Sequence, residues 1–537
     1  MRRFWFCLVA LSVCGGKAFA GDFVDTRLSF NIGDENLLVK PGETQPSVPG
    51  VHAGQPNSLG ILFFDNYDTR YTGYENLSHL AVYKQFGNSR LTAEGALVLR
   101  FLQFTDVNLS SIDDGSYMRF QLWFDRNHAQ EGGRKGNLAL TVFPLNSDRM
   151  RLGYSYRISW GGSPILFKYN PDLPTGSAAF ITNTNPAPGA KLQLSDERYY
   201  VYIGFKTTQL LDRNPNVNQQ VSVWSALGGV GGDVVPNHLR LEANGGYFDR
   251  GTNQLFFGTS VGPTQGVQVH EVVTYGGSVQ LSAFSGISPS QSIDFALYRN
   301  DPMVSAARYF QPYAYKPGFN WLASTEWTFI GSTLQNPDKP NSTDTQFAFA
   351  GDVNLRAQVG HLRIRADFEL RSLEFILLNQ PGLVPYQDFS KGSTVKPELF
   401  GVVGVDYNFE RIGLTIGPSL GLQRSASFTP PAGKALPSQL CGNTGNSICN
   451  VGESGSVVIR NQGDVSILPY GATDVPVVAA KVEAREDFLQ YFAVIAQVFY
   501  EYDGNYTHLT KAVDGSSLRS FNSPNELGFN LTLQARF

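Results

Sequence analysis

Gly258, Ser260 and Gly262 fit the G-x-S-x-G pattern, in which the serine is the nucleophile of a serine hydrolase. That chemistry needs the serine on a strand–turn–helix elbow, with a histidine and an acid converging on its hydroxyl. Here the pattern lies among strand-forming residues, in a chain whose 55 glycines make chance matches common. We therefore expect no catalytic residue at Ser260, and we expect that the protein is not an enzyme.

A run of oxygen-bearing side chains from Asp212 to Asn218 has the spacing of a calcium-binding loop. An EF-hand loop needs a glycine at its sixth position and a glutamate at its twelfth, where this chain has Val217 and Val223. The seven histidines are scattered and form neither an HxxxH nor an HExxH pair, the spacings typical of metal or proteolytic sites. The sequence therefore predicts no metal site and no cofactor.

Charged residues recur at alternate positions of segments whose other positions are apolar. Between Leu362 and Arg371, for example, every second residue is charged and the residues between them are apolar. Successive side chains of a strand point to opposite faces, so each such segment predicts a strand with one apolar and one charged face. The charged positions predicted to share the polar face are Glu94, Arg119, Asp125, Arg151, Arg157, Asp352, Arg356, Arg363, Arg365, Asp367, Glu369, Arg371 and Glu501.

The composition of the 537 residues agrees with such strands. Aromatic residues make up 13% of the chain and charged residues only 16%, against about a quarter in soluble proteins. Apolar runs of about 18 residues, which could cross a bilayer as helices, are absent. The mean hydropathy of −0.17 is that of a soluble protein, but strands with alternating faces average in the same way.

Residues 1–20 have the features of a secretory signal peptide. Two arginines precede an apolar run from Phe4 to Val13, and small residues then allow cleavage before Gly21. Removing its three positive charges takes the formal net charge from −4 to −7, so we expect no nucleic-acid partner. Export leaves Cys441 and Cys449 as an even pair, which we predict to form a disulfide in a long external loop, residues 424–472.

The C-terminal residues alternate most regularly. From Leu527 to Phe537, apolar residues alternate with polar ones, and the chain ends on an aromatic residue. This segment resembles the closing strand of Gram-negative outer-membrane β-barrels of the porin-like class. The resemblance implies an assembly signal read by the barrel-assembly machinery, a location in the outer membrane after Sec export, and outer-membrane lipid as a partner. The assembly-signal positions are Phe529, Leu531, Leu533 and Phe537.

The whole chain then predicts an all-β fold, a single large antiparallel transmembrane β-barrel over residues 21–537. Short turns such as Val359–Leu362 and Phe409–Ile412 alternate with long polar connections, as in barrels of this kind. Counting the segments gives an even number of strands, about 18 and within 16 to 20. Residues 33–76 are expected to be a loop inside the barrel or over its mouth. The segment from Leu152 to Trp160 is expected to be a wall strand.

A barrel of this size has an interior too wide for wall side chains to fill. The first hypothesis is therefore a porin-like channel for passive passage of small polar solutes, in which the charged positions line the pore. Their charges could select solutes, with a slight anion preference near Arg356 and Arg371, or could only pair across strands. The alternatives are a structural barrel bound to envelope-complex subunits for secretion, motility or lipid handling, or a hatch-plugged transporter of hydrophobic solutes.

Overall fold

The structure is a computed structural model of the chain. It describes residues 23–34, 36–38, 50–53, 62–64, 78–104, 109–113, 116–124, 136–144, 150–155, 158–160, 188–211, 220–254, 269–287, 289, 317–335, 342–379, 391–431, 454–460, 465–488, 492–511 and 517–536. Several predictions fall on other residues: the signal peptide, the calcium-like run from Asp212, the G-x-S-x-G pattern, Asp125, Arg157, Cys441, Cys449 and Phe537 lie outside the described part.

Strands make up nearly all of the regular structure. The strands of the first half are β1 Phe23–Asp34, β2 Gly50–Ala53, β3 Ser78–Gly87, β4 Leu91–Phe104, β5 Leu109–Asp113, β6 Tyr117–Trp123, β7 Asn137–Phe143, β8 Gly189–Ser195, β9 Tyr199–Leu211, β10 Gln220–Val235, β11 Leu239–Gln254 and β12 Val269–Ser285.

Among the described residues, the second half adds two short helices. Its elements are β13 Phe319–Gln335, β14 Thr343–Val359, β15 Leu362–Arg371, the helix α1 Leu373–Asn379, β16 Thr394–Lys396, β17 Glu398–Phe409, a 3-10 helix Glu410–Ile412, β18 Leu414–Arg424, β19 Ala426–Thr429, β20 Ser454–Ile459, β21 Val465–Pro469, β22 Val477–Phe488, β23 Phe492–Tyr502, β24 Thr507–Lys511, β25 Ser517–Phe521 and β26 Asn525–Arg536. No helix among the described residues has the length and apolar character needed to cross a membrane.

In the described part of the chain, twenty strands form one antiparallel sheet, in which most strands pair with their neighbours in sequence. Two of the wall strands are interrupted: β2 and β3 both pair with β1, and β5 and β6 both pair with β4, so the twenty strands make eighteen wall positions. On its other side β1 pairs with β26, from Arg27 opposite Arg536 to Asp34 opposite Phe529. The predicted fold class and strand number are confirmed.

The two faces of the wall differ as the alternation predicts. On β17, Leu399 and Val403 are exposed on the outer face, while Asp406 and Asn408 are buried on the inner face. The interior parity of β26 carries Thr532, whose hydroxyl donates to Asn31 Oδ1 of β1 at 2.6 Å. An outer apolar face and a polar inner face are what a barrel in lipid requires, because lipid offers no hydrogen bonds to polar groups.

The glycine-rich middle of the chain is regular, although its sequence pattern does not show it. Strands β10, β11 and β12 are 16, 16 and 17 residues long. On the inner face, the rings of Tyr200 and Tyr202 lie over Gly231 and Gly229 of the neighbouring strand, where a Cβ atom would come within 2.5 Å of a ring atom. Aromatic rings thus replace the missing side chains, so the glycines indicate close packing of β9 on β10.

Two long connections at one end of the barrel contain further strands. Residues 424–472 contain β19, β20 and β21, which form a four-stranded sheet with β16, and the connection after β23 contains the β24–β25 hairpin. We call these two units the cap. Arg460 binds Asp503 at 2.6 Å and lies over the Tyr506 ring at 4.0 Å, which joins the two units. The first cap unit is therefore not an unstructured loop.

Candidate functional site

The barrel interior contains a hairpin that the alternation pattern misassigns. Residues 150–155 and 158–160, which we call the lumen hairpin, fold back on themselves. The backbone amides of Leu152 and Trp160 each donate to the other's carbonyl at 2.6 Å. Leu152, Tyr154, Ile158 and Trp160 are all buried, with exposed fractions of 4% or less. The predicted wall strand at this position is wrong, and Arg151 therefore lies on the hairpin and not on the wall.

The apolar side chains of the lumen hairpin pack on the inner wall. Trp160 meets Phe248 of β11 edge to face at 4.7 Å, and both belong to one cluster with Tyr200, Tyr202 and inner residues of β3 to β14. We call this the lumen cluster. Alternating apolar residues are buried equally well by lipid outside a barrel or by apolar side chains inside it. The pattern alone therefore does not distinguish a wall strand from an inserted hairpin.

Two inner-wall side chains hold the backbone of the hairpin. Asn244 of β11 accepts the Gly153 amide at 3.0 Å, and its own amide group donates to the Arg151 carbonyl at 3.4 Å. Glu326 of β13 accepts the amides of Tyr154 and Ser155 at 2.7 and 2.8 Å, one on each carboxylate oxygen. These contacts satisfy backbone groups that would otherwise be buried without partners.

Glu326 belongs to a row of inner residues that face one another directly across β11 to β15. The row, which we call the acidic row, consists of Glu242, Gln280, Glu326, Asp352 and Glu369. Like charges in directly opposed positions destabilise a sheet. Neutral and basic donors offset this: Tyr200 donates to Glu242 at 2.6 Å, Asn354 to Asp352 at 2.7 Å, and Arg371 binds Glu369 at 2.8 Å.

Glu326 and Asn244 are absent from the residues chosen by sequence reasoning. A signal for Glu326 exists, because Asn320, Ser324, Glu326 and Thr328 alternate with Trp321, Trp327 and other outer residues of β13. The polar parity includes a single charge, so it lacks the repeated charges that identify β15. What distinguishes Glu326 is its contact with the hairpin, which lies more than 170 residues earlier in the sequence.

The helix α1 is a second element inside the barrel. Ser372 precedes it and accepts the Phe375 amide through its hydroxyl at 3.2 Å, while its own amide donates to Phe349 of β14 at 2.9 Å. Phe375 and Leu378 are buried in the lumen cluster. The indole N–H of Trp160 donates to the Leu378 carbonyl at 3.3 Å. The lumen hairpin is therefore held by the wall on one side and by α1 on the other.

A third apolar segment lies against another part of the inner wall. Leu62, Phe63 and Phe64 are buried, with exposed fractions of 2% or less, and Phe63 meets Phe400 of β17 at 5.8 Å. Their cluster also contains inner residues of β22 and β23. Gly421 of β18 allows this approach, because a Cβ atom there would lie 2.5 Å from the Phe64 ring. Of the segment 33–76, Gly50–Ala53 is wall strand β2 and not loop.

Four arginines among the charged candidates on the wall form ion pairs between adjacent strands. The distances are 2.6 Å for Arg356 and Asp367, 2.5 Å for Arg363 and Asp406, 2.5 Å for Arg371 and Glu398, and 3.7 Å for Arg119 and Glu94. Arg365 donates to Ser419 Oγ at 3.1 Å, Asp352 lies in the acidic row, and Glu501 is buried on β23.

Exposure differs among these pairs. The Arg356 and Asp367 side chains are 26% and 16% exposed, whereas Arg371 and Glu398 are 9% and 5% exposed. The more exposed pairs lie towards the short turn between β14 and β15, and the buried pair lies towards α1. In the part of the chain that is described, no group of three or more His, Cys, Asp or Glu side chains is placed to hold a metal ion.

No family model matches the chain, and no curated protein matches it. Solved structures similar to it include the outer membrane channel DcaP of Acinetobacter baumannii, with 9% identity over 97% of this chain and 99% of that one and a TM-score of 0.39. OpdQ of Pseudomonas aeruginosa is 7% identical over 96% of each chain, with a TM-score of 0.38. OmpT, an outer membrane protein of Vibrio cholerae, is 10% identical over 96% of this chain and 97% of that one, with a TM-score of 0.35. The fold assignment rests on the strand pairing of this chain itself.

Proposed function

We propose that this protein is an outer-membrane channel for small polar solutes, narrowed by the lumen hairpin and α1. The proposal rests on one observation: on the inner wall of β14, β15 and β17, partly exposed ion pairs face the interior of an eighteen-stranded wall. Paired charges give a polar solute hydrogen-bonding partners in place of water. The apolar outer face supports a location in lipid.

The inserted elements divide the interior into two apolar regions and a polar region between them. The lumen cluster occupies the side of β3 to β14 and α1, and the Leu62–Phe64 segment lies on β17, β22 and β23. The ion pairs of Arg356 and Arg363 lie between these two apolar regions along the wall and are partly exposed. This geometry favours a narrow polar path in that sector, and it supports sieving of solutes by size.

A swelling experiment tests the channel function. Liposomes that contain the refolded full-length protein should swell in isotonic solutions of a pentose, more slowly with a disaccharide and least with a trisaccharide, since the path is narrowed. Liposomes prepared with heat-denatured protein serve as the control. Equal optical traces for the two preparations with every sugar would reject the proposal.

A second candidate, passage of hydrophobic solutes, is favoured by one observation: aromatic residues fill a large part of the interior, among them Trp160, Tyr200 and Phe248. Saturable binding of a fluorescent fatty acid to the detergent-purified protein, combined with no swelling in sugars, would support this function. Swelling in sugars without fatty-acid binding would support the polar channel.

The charge preference of the channel is open to a substitution test. The sequence predicts a slight anion preference, and Asp367→Asn should strengthen it, because it removes the carboxylate that pairs with the most exposed arginine of the wall pairs described above. We expect a roughly twofold rise in the chloride-to-potassium permeability ratio, measured as the reversal potential in a KCl gradient. Glu410→Gln, a change at an 80% exposed side chain in a short turn, is the matched control and should leave that potential unchanged.

A further inference from the structure

Two backbone amides of the lumen hairpin bind one carboxylate. Glu326 has an exposed fraction of 0%, and its oxygens accept the amides of Tyr154 and Ser155 as well as the hydroxyl of Ser278 at 2.8 Å. A buried carboxylate needs such donors, and hydrogen bonds to an ionised group are stronger than those between neutral groups. Since its side chain is inaccessible while the hairpin is in place, Glu326 binds the hairpin and not a passing solute.

The hairpin is shaped to reach this carboxylate. Gly153 has a φ of +95°, a conformation that favours glycine, and a Cβ atom there would lie 2.9 Å from Glu326 Oε1 and 2.9 Å from Ser159 Cα. A side chain at this position would push the hairpin away from β13. The backbone of residues 153–155 therefore fits Glu326 closely, with Asn244 holding the adjacent amide.

The acidic row makes this carboxylate poorly suited to a purely structural role in the wall. Asp352 lies directly opposite Glu326 on the neighbouring strand, and Glu369 lies directly opposite Asp352. A neutral residue at position 326 would relieve repulsion within the sheet, but it would leave the two hairpin amides without two acceptor oxygens. The charge of Glu326 thus stabilises the hairpin at the expense of the wall.

We propose that Glu326 is a positioning residue that acts as the latch of a gate, holding the lumen hairpin across the channel. The inference rests on the proposed channel function and deepens it. When the carboxylate is lost, the hairpin leaves its place on β11 and β13, and the path widens. The barrel remains intact, because its backbone hydrogen bonds run between wall strands and do not involve the hairpin.

Two readouts on the full-length protein test the latch at constant pH. The first is the labelling rate of Ser159→Cys, a buried hairpin position, by a membrane-impermeant thiol reagent, corrected for labelling of the parent chain. The second is single-channel conductance. In the Glu326→Ala background we expect labelling at least tenfold faster and a higher conductance with frequent transitions. Glu326→Asp, which keeps two acceptor oxygens, should stay closer to the parent than Glu326→Gln, and Glu410→Gln should match the parent.

The outcomes separate this inference from the function on which it rests. Labelling and conductance of Glu326→Ala equal to those of Glu410→Gln would overturn the latch. Faster labelling without conductance in any variant would reject the channel, and the gating role with it. If Glu326→Ala does not fold, as judged by heat-modifiable electrophoretic mobility, Gly153→Ala tests the same contact from the hairpin side, and unchanged labelling in that variant would also overturn the latch.

Discussion

Replacing residues 150–160 with a four-residue Gly-Ser linker is expected to raise single-channel conductance roughly two- to threefold, because the hairpin packs on the inner wall and on α1 and so takes up part of the interior. The change removes five buried apolar side chains that the structure describes, including Met150, Tyr154 and Trp160, together with the backbone that binds Glu326 and Asn244. Conductance is measured in planar bilayers in concentrated KCl. The larger sugars that swell parent liposomes slowly should also enter faster.

The control for this deletion is an equally local change elsewhere. Replacing His361 of the turn Gly360-His361 between β14 and β15 with Asn should leave conductance unchanged, since this turn lies at the end of the wall and the change keeps Gly360, whose φ is +55°. A hairpin-deleted protein that folds and conducts like the parent would show that the lumen hairpin does not limit the path.

The second large effect is expected on stability. Val353 lies on the outer face of β14, and Val353→Lys places a charge against lipid, which costs about 2 to 4 kcal/mol near the middle of a bilayer. The neighbouring change Asn354→Lys places the same charge inside, between Asp352 on its own strand and Asp367 directly opposite. We expect the unfolding free energy of the Asn354→Lys variant to stay within about 1 kcal/mol of that of the parent protein, because the new cation gains carboxylate partners.

The measurement is urea-induced unfolding in lipid vesicles, followed by heat-modifiable mobility and tryptophan fluorescence. We expect Val353→Lys to lower the free energy of unfolding markedly and Asn354→Lys to lower it little. Equal losses in the two variants would contradict the assignment of the outer and inner faces of β14.

Two neighbouring regions show why sequence reasoning succeeded at one place and not at another. In β15, the parity that carries Arg365, Glu369 and Arg371 is buried and the parity that carries Ile364 and Phe368 is exposed, as the alternation predicts. Repeated charges on one parity allow only one orientation, because those charges would be unstable against lipid. The glycine-rich strands β10 to β12 lack such charges, so their register depends on contacts with neighbouring strands.

The alternation of apolar and charged residues is sufficient to predict one large barrel, because a two-residue period of this kind is stable between lipid and a polar interior. It also determined which side of strands such as β15 faces that interior. The location of residues 150–155 and 158–160 inside the barrel, their contact with Glu326, and the pairing of four wall arginines with carboxylates are visible only in the folded chain. The physical reason is that local alternation specifies which side chains must be buried, whereas the groups that contact the hairpin come from strands 91 to 172 residues away in sequence.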